Sequence, residues 1–195
     1  MIIFLFTTFV VTIPKIMNIA IFCSANSDIP AEYFEKTREL GEWMGRQGHT
    51  LVFGGCNMGL MECIAESVHN HGGKTIGIIP SIIEKGGKTS RFVDEAVYCE
   101  NLSDRKDLLL SHSDVIIALP GGIGTLDEVF TVAAAHTIGY HQKRIILYNM
   151  GGFWNSLIAC LNDLSRRGMM RGNWQDYIQV AESIKEVEAR IFSIY

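Results

Sequence analysis

The sequence has no C-x-x-C pair, no G-x-S-x-G and no excess of basic residues, and each absence removes a class of function. Its five cysteines (Cys23, Cys56, Cys63, Cys99 and Cys160) are odd in number and scattered. That usage argues against a disulfide framework or a zinc site, and for reduced thiols in a cytoplasmic protein, most of them small core residues. With no serine in a nucleophile elbow, a hydrolase triad has no support. Charged residues make up 19% of the chain and the formal net charge is -4. Nothing electrostatic therefore points to nucleic acid or an anionic membrane surface as a partner. The histidines lack metal spacing, His69 and His71 being two apart and His136 and His141 five apart, so no metal site is expected.

Two phosphate motifs are present only in part. "GGKT" occurs at 72–75 and again at 86–89, but a P-loop would need its first glycine at 68 or 82, where Val68 and Ile82 stand. "FGGCNMG" (53–59) approaches a dinucleotide fingerprint and fails at Cys56, with no acidic residue closing a following strand. ATP and NAD are disfavoured. The apolar opening "MIIFLFTTFVVTI" is uncharged for 13 residues, shorter than the ~20 needed to cross a bilayer. It has neither the basic start nor the cleavage site of a signal peptide. Residues 1–16 are expected to be an upstream extension from a misassigned start at Met1, or else an added edge strand or arm. The domain proper would run over 17–195.

The chain has 195 residues, 48% of them hydrophobic, enough for one well-buried domain and too few for two ordinary ones. No internal repeat, low-complexity tract or linker divides it. Short apolar runs at 18–23, 50–54, 74–80, 114–120 and 143–149 read as buried strands, with shorter ones near 95–100 and 177–181. Segments of helical period lie between them, at roughly 29–47, 59–72, 102–112, 125–138, 152–167 and 182–193. The alternation predicts an α/β fold, a single doubly wound Rossmann-like domain with a mainly parallel sheet flanked by helices. Ligands in such sheets bind outside the carboxyl ends of the strands. Two glycine-rich turns, "FGGCNMG" and "PGGIGT", fall at such ends.

In "LPGGIGTLDEVF" (119–130), Gly121, Gly122 and Gly124 can take positive φ and leave backbone amides uncovered. A helix starting near Thr125 would add the positive end of its dipole, an anion site by construction. A tight strand-to-helix turn would look the same without a ligand. Thr125 and Glu128 form T-x-x-E, which is either a capping box or a carboxylate aimed at the sugar of a nucleotide. Asp127 is expected to face solvent. Ser103 is a plausible cap for the next helix upstream. Arg105 and Lys106 fall in that helix's first turn, against the dipole, which hints at an anionic partner.

These pieces in this order resemble the LOG ("Lonely Guy") family of nucleotide phosphoribohydrolases, whose older label is lysine decarboxylase. The resemblance covers about residues 17–190. It rests on P-G-G-x-G-T-x-x-E, here Pro120 to Glu128, with Arg105-Lys106 upstream. It implies hydrolysis of the N-glycosidic bond of nucleoside 5'-monophosphates, cytokinin nucleotides or AMP, to free base and ribose 5-phosphate. It implies no cofactor, and a homodimer built on the helices near 102–112 and 125–138. Carried over by motif, Arg105 and Glu128 are the catalytic pair. Substrate would be bound by Lys106, Pro120, Gly121, Gly122, Gly124 and Thr125 on one side, and by Gly54, Gly55, Gly59 and Met61 on the other. The chain departs from the family's turn at Cys56 and Glu62, where glycines are common, and at Ile123, often tyrosine. The decarboxylase label finds no recognisable Schiff-base lysine with an acidic partner. A non-catalytic nucleotide or molybdenum-cofactor carrier of the same fold is the alternative, and the Arg105–Glu128 pair is what a carrier need not keep.

Overall fold

A computed structural model describes residues 15–193. The reading of residues 1–16 as an extension therefore lies, apart from Lys15 and Ile16, outside the described residues. The strands are β1 (Asn18–Phe22), β2 (Thr50–Phe53), β3 (Lys74–Pro80), β4 (Glu95–Cys99), β5 (Val115–Ala118), β6 (Ile145–Tyr148) and β7 (Ile178–Ala181). The helices are α1 (Ala31–Arg46), α2 (Gly59–Asn70), α3 (Ser81–Lys85), α4 (Leu102–Ser111), α5 (Ile123–Thr137), α6 (Asn155–Arg166) and α7 (Ile184–Phe192). All seven strands pair in parallel in the order β4-β3-β2-β1-β5-β6-β7. The short α3 is the one helix that periodicity did not predict.

Why the sheet is doubly covered can be read along a single strand. Ile19 and Ile21 of β1 pack with Leu40 and Met44 of α1, Leu60 and Ile64 of α2, and Val187 and Ile191 of α7. Ala20 and Phe22, one residue out of phase, pack instead with Leu109 of α4, Val129 and Val132 of α5, and Leu161 of α6. Alternate side chains point to opposite faces, so a strand apolar at every position needs a helical layer on each side.

The order of the strands reverses between β1 and β5, which makes the gap above them the ligand crevice. There the chain after each strand is tied to the other. The Leu119 N–H donates to the Phe22 carbonyl at 2.9 Å, and the Ser24 N–H to the Pro120 carbonyl at 3.1 Å. The Leu60 N–H then donates to the Ser24 carbonyl at 2.9 Å, drawing the start of α2 into the same rim.

Four of the five cysteines are buried and all five are free thiols. No helix among the described residues is long and apolar enough to cross a membrane. Among the same residues, no group of three or more His, Cys, Asp or Glu is placed to hold a metal ion.

Candidate active site

Helix α4 begins beside the crevice because Asn101, in extended conformation, caps it. Its Oδ1 accepts from the Ser103 N–H at 2.9 Å and from the Asp104 N–H at 3.0 Å. The expected cap, Ser103, is instead inside the first turn. Asparagine and serine cap about equally well, so which of them does so depends on where the extended backbone ends, two residues earlier than expected.

Helix α5 likewise starts earlier than T-x-x-E suggested. Gly122 is its N-cap, extended at φ -93° and ψ -150°, and no side chain caps it. Thr125 is thus the third helical residue and Glu128 the sixth, and the capping-box reading fails. Glu128 is 5% exposed, and its Oε1 accepts from Arg105 Nη1 at 2.7 Å. Arg105 is therefore not a solvated cation, with its side chain 14% exposed. One residue along on each helix, Lys106 Nζ donates to both carboxylate oxygens of Asp127 at 3.0 Å. Two parallel ion pairs thus join the second turns of α4 and α5, the inner one buried and the outer one exposed, so Arg105 and Lys106 lie one step past the first turn expected for them.

Burial pushes the Glu128 carboxyl above the usual glutamate value of 4.5, while the Arg105 charge and hydrogen bond pull it back down. Cys23, just after β1, is held well above its ordinary value, chiefly by burial and next by the Glu128 charge. Arg105 Nε is buried with no acceptor among the described residues.

The glycines separate by what surrounds them. None of Gly121, Gly122 and Gly124 has positive φ, so the conformational reason expected for them does not apply. Gly121 is needed for space, since a Cβ there would stand 2.1 Å from Thr125 Oγ1. Gly122 and Gly124 are exposed and have nothing within 4 Å of a Cβ. They leave the uncapped amides of α5 open to the crevice. Gly55 (φ 69°) and Gly59 (φ 57°) do use the left-handed region. The Gly59 N–H donates to Ser27 Oγ at 3.2 Å and is already engaged. Gly54 and Met61 line, with Ala25, Cys56, Ile82 and Arg105, a pocket of about 220 Å³.

A second pocket, of about 350 Å³, lies across the switch point between Ser24, Asn26 and Tyr33 on one side and Pro120, Gly122 and Phe153 on the other. The residues following β1, and Phe153, were not anticipated. The signal available for the former was their position at the carboxyl end of a strand. A roomier groove of about 460 Å³, with His69, Lys74 and Asp94, includes the first residues of β2 and β3. That is the opposite end of the sheet from the crevice, and one of the two "GGKT" stretches ends up there.

The family described as "possible lysine decarboxylase" matches residues 61–191. The chain is 31% identical over 177 residues to the cytokinin riboside 5'-monophosphate phosphoribohydrolase LOG3 of Arabidopsis thaliana, covering 91% of this chain and 82% of that protein. The chain belongs to the LOG family. It is also 32% identical over 169 residues to the Mycobacterium tuberculosis protein of the same phosphoribohydrolase name, covering 87% and 90% of the two chains. In structure it is similar to the molybdenum cofactor binding protein of Rippkaea orientalis, with a TM-score of 0.70, 26% identity, and 92% and 98% coverage. The molybdenum cofactor carrier protein of Chlamydomonas reinhardtii shares the fold, with a TM-score of 0.71 at 21% identity over 92% and 98% of the two chains.

Proposed function

We propose that the protein hydrolyses the N-glycosidic bond of nucleoside 5'-monophosphates, AMP or an N6-substituted relative, releasing the free base and ribose 5-phosphate. The observation that carries this reading is the buried Glu128, paired at 2.7 Å with Arg105 beside an uncapped helix start. A turn without chemistry has no use for a desolvated carboxylate there, and burying one is costly even when it is paired. The names of its LOG relatives support the same reaction.

In this reading the phosphate lies on the amides of Gly122 to Thr125, where the α5 dipole favours negative charge. Binding energy from the phosphate holds the ribose over Glu128 and is used for orientation at the reacting carbon. Glu128 faces the sugar, stabilises positive charge as the C1'–N bond lengthens, and takes a proton from the attacking water. The bonding pair of the C–N bond leaves with the base, the proton taken from water is passed on from Glu128 to the base directly or through solvent, and the water oxygen becomes the anomeric hydroxyl. Arg105 keeps Glu128 oriented and ionised. Lys106 serves through Asp127, and Met61 and Cys56 flank the pocket beside Arg105.

A homodimer is part of the proposal. Phe130 of α5, Leu164 of α6 and Met169 after it surround an apolar groove of about 390 Å³ and are partly or largely exposed. Free thiols throughout fit a cytoplasmic setting.

The test is incubation with AMP and, separately, with N6-isopentenyl AMP, following free base and ribose 5-phosphate by chromatography. Glu128→Gln is expected to lower turnover by about 10²-fold or more. The carrier reading has its own support in the resemblance to the Rippkaea orientalis protein. Stoichiometric nucleotide binding without release of either product would favour it.

A further inference from the structure

Gly54 follows β2 at the point where the chain turns toward the crevice. Unlike Gly55 beside it, it does not have positive φ, so no left-handed backbone calls for a glycine there. The reason for a glycine must then be space. A Cβ at this position would stand 2.0 Å from Arg105 Nη2, 3.2 Å from Arg105 Cζ and 3.3 Å from Met61 Sδ. The first contact is impossible, and what yields is the far end of a flexible side chain rather than backbone. The guanidinium is planar and rigid, so displacing Nη2 also displaces Nη1, which donates to Glu128 Oε1 at 2.7 Å.

We infer that Gly54 is a positioning residue, whose missing Cβ is the seat that holds the Arg105 guanidinium on Glu128. The family motif suggests a different role, a bare surface against which substrate lies. The two roles differ in what an added methyl does. A methyl in a substrate wall weakens binding and leaves the chemistry alone. A methyl in the seat leaves substrate room and moves the pair. The kinetic half of the inference rests on the hydrolase reading above, and the geometric half does not.

The Glu128 carboxyl faces Arg105 and Lys106 from α4, Asp127 from its own helix, and the Cys23 thiol just after β1. Burial raises its titration and Arg105 is the first of the groups that oppose it. A displaced Arg105 leaves burial less opposed, so the carboxyl titrates higher still.

The experiment compares wild type, Gly54→Ala, Arg105→Lys and the double variant. Steady-state kinetics are paired with a ¹³C NMR titration of glutamate-labelled protein. For Gly54→Ala the expected result is a fall in kcat of about 10²-fold, the scale of an ångström-sized misplacement, with KM little changed. The acid limb of the pH profile and the Glu128 titration should both move upward. In the Arg105→Lys background, which has no Nη2 to clash, the alanine should add little. A raised KM with unchanged kcat and an unmoved titration would overturn the inference, as would full additivity of the two substitutions. If Gly54→Ala alone fails to fold, the double variant should fold, and its failure too would overturn the seat. If wild type releases no product, the hydrolase reading fails, while the Glu128 titration still decides whether Gly54 seats Arg105.

Discussion

Arg105 of α4 and Glu128 of α5, 23 residues apart in sequence, meet at 2.7 Å in a site that excludes most water. The pair sets a pH dependence with a definite sign. Glu128 titrates above an ordinary glutamate when folded, so the folded protein holds that proton to higher pH than the unfolded chain. Its ionised form is therefore a burden on stability above that window, one that Arg105 offsets.

Arg105→Ala should destabilise the protein by about 3 kcal/mol near neutral pH, the usual cost of orphaning a buried charge. The deficit relative to wild type should shrink as pH falls through the raised titration of Glu128, because protonation removes the charge that lost its partner. Urea denaturation at several pH values measures it. A deficit independent of pH would mean that Arg105 contributes packing and not charge.

The α4 terminus gives a sharper local test. Asn101→Ala should cost about 1 kcal/mol, since it removes the acceptor for two helix amides. Ser103→Ala should cost close to nothing, because Ser103 offers its N–H to that cap and is not the cap itself. Thermal melts of the two variants side by side suffice.

Much of this was legible in the residues, and the failures have physical causes. The strands announced themselves because β1, β2, β5 and β6 are almost fully buried on both faces, which leaves continuous apolar runs. T-x-x-E misled because its spacing fits a cap and an interior pair alike. Only the register of α5, capped three residues early at the extended Gly122, separates them. The partner of Lys106 was invisible for a related reason, since Asp127 reaches it only after α4 and α5 pack together. Asn26, Tyr33 and Phe153 share a pocket with Pro120 because β1 lies beside β5, a fact of sheet order with no local signature.

Away from the crevice, buried His49 makes a second pH prediction. Its Nδ1 accepts from the Met17 N–H at 3.2 Å, which requires the unprotonated atom. Burial lowers its titration below the usual 6.5, with Glu188 pulling weakly the other way. The unfolded chain therefore takes up the proton first as pH falls, and stability should decline below about pH 6.5. His49→Asn, which keeps an acceptor in the same place, should flatten part of that decline in melts between pH 7 and pH 5. The remaining slope includes His141, also lowered by burial.

The PGGIGT loop should split stability from binding within three glycines. Gly121→Ala puts a Cβ 2.6 Å from Thr125 Cβ, an atom fixed to the α5 backbone, so the loop itself must shift. Overpacking of that kind costs about 1–3 kcal/mol and should appear in the melting temperature. Gly122→Ala and Gly124→Ala meet nothing within 4 Å, so Gly122→Ala should cost only the disadvantage of alanine at an N-cap, about 0.5–1 kcal/mol, and Gly124→Ala should gain slightly from better helix propensity. Yet their methyl groups would enter the space in front of the α5 amides. Both should therefore raise KM for AMP by about tenfold or more, roughly one lost charge-assisted hydrogen bond. Steady-state kinetics with AMP, and with adenosine as the phosphate-free control, would read this directly. An equal loss for both substrates would move the phosphate away from α5.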